Sequence, residues 1–200
     1  MYQLVLDTSN QYLYVALAKD FRVFTSILQV GNNNHSETLM DVVKKIMSDN
    51  SLTTKDLESI IVGRGPGSYT GVRVACTIAK VMAYLENIKL YSFSSLDLLL
   101  SKYLDENNTY IIHMDARRGY AYLKTIKLDN GNITILTDET FTTLEEEKNK
   151  FPEALCVNQI VNDSDDYNIY NLYKYDLIKE ETNIHDFEPT YLRSGVWLKL

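Results

Sequence analysis

Four of the chain's eight glycines lie within the segment Gly63-Arg64-Gly65-Pro66-Gly67-Ser68-Tyr69-Thr70-Gly71-Val72-Arg73. The segment follows an apolar run at Ser59–Val62 and precedes a longer apolar run that extends to Leu85. This order predicts a strand, a glycine-rich turn and a helix, with Ser68 as the N-cap of the helix. Such a unit can present backbone N–H groups and a positive helix end to an anion, so phosphate binding is one interpretation of the turn.

A purely structural interpretation of the same turn stays equally open. No lysine follows the glycines as a Walker motif requires, and the spacing of a dinucleotide-binding turn is absent. Glycines 65, 67 and 71 can instead permit a sharp turn in which backbone approaches backbone. The segment by itself therefore does not establish a ligand.

Apolar periodicity predicts the elements on either side of this unit. Three strands are expected at Tyr2–Asp7, Tyr12–Ala18 and Arg22–Val30, followed by an amphipathic helix over Ser36–Ser48. After the glycine unit come a strand at Ile88–Phe93 and a helix opened by Ser94, with Asp97 in capping-box spacing. The first half of the chain thus reads as βββαβα.

The second half begins in the same way as the first. Asp7 precedes Tyr12 by five residues, and Asp115 precedes Tyr120 by the same distance, each pair joining two apolar runs. The turn Asp129-Asn130-Gly131 then favours a hairpin. We therefore expect an α/β chain of two related lobes, residues 1–104 with the glycine-rich turn and residues 105–200 as a reduced second lobe.

The helix after the glycine-rich turn has two apolar faces. One face carries the larger residues Val74, Ile78, Met82 and Leu85, and the other carries Gly71, Ala75, Ala79 and Ala83. A helix that lies on a sheet needs only one apolar stripe, so the small residues predict a second helix packed closely against it. That second helix can be Ser36–Ser48 of the same chain or a helix of another subunit.

Composition restricts the classes of partner. The formal net charge of −7 and the pI near 5.0 argue against broad binding of a phosphate backbone by this chain. No apolar run approaches the roughly 20 residues that span a bilayer, and the N-terminus lacks the pattern of a secretion signal. We therefore expect a cytoplasmic protein. Cys76 and Cys156 lie in apolar stretches and are expected to be reduced core residues.

The glycine-rich segment resembles the signature of the TsaB (YeaZ) family. Leu6-Asp7-Thr8-Ser9, Asp115-Ala116-Arg117 and Pro189-Thr190-Tyr191-Leu192-Arg193 resemble that family in the same order, so the likeness extends along nearly the whole chain. The resemblance implies the duplicated fold of actin, sugar kinases and heat-shock ATPases. The C-terminal part is shorter than is usual in the family.

The resemblance also implies a function in tRNA modification. TsaB proteins belong to the machinery that adds threonylcarbamoyl to the adenosine beside the anticodon, in which the TsaD subunit makes the transfer and the ATPase TsaE is also required. The implied role is a non-catalytic scaffold or dimerisation subunit that binds a TsaD-like subunit or a second copy of itself and meets tRNA only within the complex. The predicted interface residues are Leu39, Val42, Ile46, Ala75, Ala79, Met82 and Ala83.

The residues expected in the former active cleft do not form a complete catalytic site. Asp7, Thr8 and Asp115 are interpreted as its remnants, and the turn after Asp7 lacks the glycine that lets phosphates approach in kinases of this fold. The catalytic relative holds its metal with two histidines four residues apart, whereas His35 is followed at that distance by Leu39. We therefore expect no metal or cofactor on this chain, with ATP and metal belonging to partner subunits.

Two other functions compete with the scaffold. Asp7, Asp115 and the glycine turn would also suit a stand-alone ATPase or small-molecule kinase. A homodimeric binding module of another pathway is the third possibility. Peptidase activity, once attached to the family as a glycoprotease label, is rejected because the sequence has no G-x-S-x-G elbow and no placed nucleophile and base.

Overall fold

The computed structural model describes residues 2–31, 35–104, 106–158 and 167–192. Arg193, the last residue of the C-terminal motif quoted above, lies outside this part of the chain. The strands and helices of residues 2–100 are β1 Tyr2–Asp7, β2 Tyr12–Lys19, β3 Arg22–Val30, α1 His35–Asp49, β4 Leu57–Gly63, α2 Tyr69–Glu86, β5 Lys89–Phe93 and α3 Ser95–Leu100. The remaining ones are β6 Asn108–Asp115, β7 Ala121–Asp129, β8 Asn132–Thr142, α4 Leu144–Lys150, β9 Leu155–Val157, α5 Ile169–Lys174 and β10 Ile178–Glu180.

The strands form two sheets with the same internal arrangement. The first sheet has the order β10-β5-β4-β1-β2-β3, and the second has the order β8-β7-β6-β9. In the first, β1 is antiparallel to β2 and parallel to β4. In the second, β6 is antiparallel to β7 and parallel to β9. The sheet topology therefore repeats, which confirms the predicted α/β class with a duplicated, actin-like arrangement.

Two apolar cores lie on opposite faces of the first sheet. One is formed with α1 and α2 and includes Leu39, Val43, Ala75 and Ala79. The other lies between the two sheets and includes α3, α5 and residues of β6 and β7. None of the helices in the described ranges is long and apolar enough to cross a membrane.

The two apolar faces of α2 differ in how far they are buried. The small face lies against the first sheet and α1, because alanine lets the helix approach closely. The large face is partly open to solvent, and Leu85 is 72% exposed. The close packing of a second helix is confirmed, and that helix is α1 of the same chain.

This arrangement corrects most of the predicted interface. The side chains that are buried within the chain are Leu39, Val42, Ile46, Ala75, Ala79 and Ala83. A side chain sealed in its own core cannot touch another subunit, so the prediction is wrong for these six. Met82 is only partly buried and packs at the margin of the same core, so its assignment stays a prediction.

Candidate functional site

The glycine-rich turn, Gly63–Ser68, fits tightly against the turn that joins β1 and β2. A Cβ atom on Gly63 would lie 1.8 Å from Oδ2 of Asp7, and one on Gly67 would lie 2.2 Å from the carbonyl oxygen of Ser9. On Gly71, the Cβ atom would lie 2.0 Å from the carbonyl oxygen of Thr8. The glycines therefore permit close approach of the chain to itself, which is the structural interpretation left open by the sequence.

The carboxylate of Asp7 is buried and is held by neighbouring hydroxyl groups. Its Oδ1 accepts hydrogen bonds from the backbone N–H and the hydroxyl of Ser9, at 2.9 and 2.6 Å. Its Oδ2 accepts a hydrogen bond from the hydroxyl of Ser95, at 2.6 Å. Both oxygens are therefore engaged within the protein, and the side chain is only 2% exposed. Thr8 is also buried, and its hydroxyl donates to the carbonyl oxygen of Gly71 at 2.7 Å.

Three backbone N–H groups of the glycine-rich turn are engaged in the same way. The N–H of Ser68 donates to the carbonyl oxygen of Ser9 at 2.6 Å, and that of Gly65 donates to the hydroxyl of Ser95 at 3.2 Å. The N–H of Arg64 donates to the carbonyl oxygen of Phe93 at 3.0 Å. Ser68 caps α2 as predicted, since its hydroxyl accepts from the N–H of Gly71.

The C-terminal segment closes the outer side of the glycine-rich turn. The N–H of Thr190 donates to the carbonyl oxygen of Arg64 at 2.7 Å, and Nε of Arg64 donates to the hydroxyl of Thr190 at 2.8 Å. A guanidinium nitrogen of Arg64 also lies 3.5 Å from Glu181. The glycine segment and the C-terminal motif, which are 126 residues apart at this contact, therefore form one unit. In the sequence, the only indication of this contact was that both segments resemble the same family.

We expect Gly71→Ala to destabilise the protein although it lies in a helix. Alanine is the better helix former by up to about 1 kcal/mol, so propensity alone predicts stabilisation. The added Cβ would instead collide with the backbone of Thr8 and force the β1–β2 turn away from α2. We expect the free energy of unfolding, measured in urea, to fall by about 3 kcal/mol.

Gly131→Ala is the matched control for this substitution. Gly131 has a φ of +78° but open space around its Cβ position, so only the left-handed backbone, worth about 1 kcal/mol, is penalised. Equal losses for the two variants would mean that contact with Thr8 is not what requires glycine at position 71.

The outward surface of α2 is the main exposed apolar feature near the turn. Val81 is 49% exposed, Leu85 is 72% exposed, and Tyr69 at the start of the helix is 60% exposed. A shallow groove of about 470 Å³ runs along this surface. A second groove of about 290 Å³ lies between α2 and the C-terminal segment. Tyr69, Arg73 and Thr77 line both grooves.

We call one set of exposed or half-exposed residues the outer α2 face. Its members are Tyr69, Arg73, Val74, Ile78, Val81 and Leu85.

The second Asp-ended turn differs from the first. Asp115 is exposed, and its Oδ1 accepts the N–H of Arg117 at 2.8 Å. The ends of β1 and β6 lie side by side, since the hydroxyl of Ser9 is 3.9 Å from the sulfur of Met114. Within the described ranges, no three His, Cys, Asp or Glu side chains are grouped to hold a metal ion. Helix α1 begins at His35, one residue before the predicted start at Ser36.

Burial sets the ionisation of the groups around Asp7. Burial and the charge of Asp7 raise the pKa of the Cys76 thiol to about 12. Burial, with the charge of Asp7, also raises the pKa of Tyr167. Neither group can therefore ionise readily near neutral pH, so neither offers a ready nucleophile or base beside Asp7.

The two cysteines are expected to differ sharply in reactivity. Cys76 is buried as predicted, but Cys156 is exposed on β9, so its prediction as a core residue is wrong. Cys156 lies on β9, a three-residue strand at the edge of the second sheet, so the Cys156 side chain is open to solvent.

At pH 8 we expect a disulfide reagent to titrate one thiol in the folded chain and two after denaturation. Cys156→Ser should remove the fast reaction, and rapid labelling of native Cys76 would contradict the burial.

The fold is that of a duplicated α/β protein of the actin-like class. Its glycine-rich turn forms hydrogen bonds with other segments of the same chain. A family model described as "TsaD: tRNA N6-adenosine threonylcarbamoyltransferase" matches residues 29–187. Curated relatives named "tRNA threonylcarbamoyladenosine biosynthesis protein TsaB" include those of Bacillus subtilis and Escherichia coli. The first is 35% identical over 64% of this chain and 56% of the relative. The second is 26% identical over 65% of this chain and 57% of the relative.

The solved structures agree with these relatives. YeaZ from Pseudomonas aeruginosa is 26% identical, with a TM-score of 0.63, over 70% of this chain and 67% of that chain. A second Pseudomonas aeruginosa structure, described as similar to peptidase YeaZ, matches in fold with a TM-score of 0.75 over 96% of this chain and 99% of that chain, at 20% identity. The chain belongs to the family that the model describes, and its relatives place it in the TsaB (YeaZ) branch. It spans about half the length of the curated relatives it matches.

Proposed function

We propose that this chain is a non-catalytic scaffold subunit of the complex that adds threonylcarbamoyl to the adenosine beside the anticodon of tRNA. Its partners are a TsaD-like transferase subunit and a TsaE-like ATPase, and a homodimer is the alternative use of the same surface. The complex works in the cytoplasm. ATP and metal are bound by the partner subunits.

The observation that carries this proposal is the outer α2 face. Val74, Ile78, Val81 and Leu85 follow one another at spacings of four, three and four residues, which is the apolar seam of a helix that packs on another helix. Leu85 and Val81 are largely open to solvent, and an exposed apolar stripe of this kind marks an interaction surface. Tyr69 and Arg73 at one end belong to the residue types that dominate binding energy at interfaces.

The closed glycine-rich turn supports the absence of chemistry on this chain. A nucleotide would need N–H groups and a carboxylate that face an open cleft. Here the carboxylate of Asp7 is bound by Ser9 and Ser95, and N–H groups of the turn are bound by Ser9, Ser95 and Phe93. Opening this site would require breaking several buried hydrogen bonds at once.

The direct test is the mass of the complex that forms when the purified chain is mixed with a TsaD-like subunit. We expect a stable heteromeric species, and we expect tRNA modification in a reconstituted reaction to depend on the chain. ATP turnover by the isolated chain with micromolar nucleotide binding, together with no complex, would overturn the proposal in favour of a stand-alone ATPase.

A further inference from the structure

Two arginines at the tip of the second sheet differ from the other described arginines. The guanidinium of Arg22 lies 3.9 Å from the centre of the Tyr170 ring, Arg64 binds Thr190 and Glu181, and Arg73 binds Tyr69. Arg117 and Arg118 are exposed, and among the described residues neither guanidinium group has an ion pair, a hydrogen bond or an aromatic contact. Two adjacent guanidinium groups are thus available to an external anion.

The backbone fixes these arginines in a conformation that arginine rarely adopts. The φ angles are 67° at Arg117, 56° at Arg118 and 80° at Gly119. The turn is held by the N–H of Ala116, which donates to the carbonyl of Tyr120 at 2.9 Å, and by the N–H of Tyr120, which donates to the carbonyl of Arg117 at 3.1 Å. Each left-handed arginine costs about 1–2 kcal/mol relative to ordinary backbone. Asparagine or glycine would occupy such positions at lower cost, so stability does not explain arginine here.

A pair of stacked aromatic rings begins where this turn ends. The ring of Tyr120 is stacked on Phe141, with centroids 4.7 Å apart and planes 11° apart. Phe141 also contacts Tyr122, at 5.8 Å. Tyr120 is nevertheless 45% exposed, so the ring is held rigidly and still offers part of its surface to solvent.

We propose that the turn Arg117–Tyr120 and the ring of Phe141 form an RNA contact of the assembled complex. The arginines bind backbone phosphates, since the planar guanidinium matches the geometry of phosphate oxygens. Tyr120 stacks with an unpaired base, as aromatic side chains do in single-stranded RNA loops. This inference rests on the proposed function, which supplies tRNA as the nucleic acid.

The charge of the chain explains why the contact works only within the complex. The net charge is −7, and the exposed carboxylate of Asp115 lies in the same turn, where Oδ1 binds the N–H of Arg117. Two arginines therefore provide local positive charge on an acidic protein, which is too little for strong binding by the isolated chain. Added to the contacts of the partner subunits, they orient the bound RNA. An acidic protein partner would use the arginines but gains no specific advantage from the stacked rings, so RNA is favoured.

The test replaces both arginines in the assembled complex by Arg117→Asn and Arg118→Asn. Asparagine tolerates the left-handed backbone, so the charge is removed while the turn is kept. With a tRNA transcript, we expect the affinity of the complex to fall about tenfold, and the slope of log affinity against log salt to fall by about 1 to 2. Tyr120→Ala should also weaken binding about tenfold but leave the salt slope unchanged.

The control removes the same charge elsewhere on the surface. Lys19→Gln with Lys127→Gln, both at exposed positions, should change neither the affinity nor the salt slope. If the asparagine variant assembles normally and binds tRNA like the control, the RNA contact is refuted while the scaffold proposal stands. If the variant instead loses a protein subunit from the complex, the turn contacts protein and the RNA assignment is wrong. If the unaltered chain forms no complex at all, the proposed function itself fails.

Discussion

Val81→Glu combined with Leu85→Glu is expected to abolish assembly of the chain with the proposed TsaD-like partner. Both side chains are open to solvent in the free chain, at 49% and 72% exposure, so a charge there costs little folding stability. In an interface of packed helices the same two carboxylates would be buried without partners, which is strongly unfavourable. We expect the dissociation constant of the complex to rise by at least about 100-fold. Sedimentation or native mass measurement of the mixed subunits checks this.

A matched variant separates this surface from general effects of added charge. Ile135 and Leu136 on β8 are apolar and exposed, at 54% and 41%, but lie in the second sheet. Ile135→Glu with Leu136→Glu therefore makes the same chemical change away from α2 and should leave assembly intact. A complex that survives the α2 variant and dissociates with the β8 variant would move the partner surface to the second lobe.

Substitutions at the buried alanines are expected to act differently from substitutions on the outer α2 face. Ala79 has no exposed surface, so a bulky residue there must first disrupt the packing of α2 on α1 and the sheet. Loss of assembly in Ala79→Leu would therefore accompany loss of stability and would not identify an interface. Variants of Val81 and Leu85 avoid this ambiguity because the free chain exposes them.

Local patterns were sufficient to predict most of the first lobe. The strand at Tyr2–Asp7, the helix around Ser36–Ser48 and the cap at Ser68 depend on periodicity and on contacts a few residues apart. The elements of the second lobe were predicted less completely. Strand β8 follows the predicted hairpin turn and extends to Thr142. The sequence did not indicate this length, because an exposed edge strand with shifts in register lacks a regular apolar alternation.

Contacts between distant segments could not be predicted from the sequence. The spacing of Ser94 and Asp97 suggested a capping box, yet the carboxylate of Asp97 binds Lys124 on β7. The direction of each α2 face could not be predicted either, because periodicity separates two apolar faces without saying which one meets the sheet. The role of the glycines could not be predicted either, because it depends on the β1–β2 turn that lies opposite them.

The ion pair between Lys124 and Asp97 leads to the second prediction of large effect. Nζ of Lys124 lies 2.8 Å from Oδ1 of Asp97, and the two side chains are only 7% and 6% exposed. Lys124→Met would leave the carboxylate buried without its cation. We expect the free energy of unfolding at neutral pH, measured in urea, to fall by about 3–5 kcal/mol.

A double variant distinguishes loss of the pair from loss of packing. Asp97→Leu together with Lys124→Met removes both charges and fills the site with apolar atoms, so its stability should lie close to that of the unaltered chain. If the double variant were as unstable as Lys124→Met alone, the shape of the lysine side chain would be the cause, and the buried charge would not.

The pH dependence of Lys124→Met gives an independent check on the same pair. Burial raises the pKa of Asp97 above its ordinary 3.8 even though Lys124 lowers it, so removing Lys124 raises it further. A carboxyl whose pKa is higher in the folded state contributes stability below its unfolded pKa and loses that contribution as the pH rises through the folded pKa. The difference in the free energy of unfolding between Lys124→Met and the unaltered chain should therefore be small near pH 4 and grow toward neutral pH.

Nearby acids do not reverse this sign. Asp138 also acts on Asp97, and burial raises the pKa of Glu139, but both residues are present in each protein, so their direct contributions largely cancel in the difference. Asp97 belongs to α3, whose first residue, Ser95, binds Asp7 at the end of β1, while Lys124 belongs to β7, which begins just after the Arg117–Tyr120 turn. The pair thus links the lobe that carries the outer α2 face to the lobe that carries the proposed RNA contact.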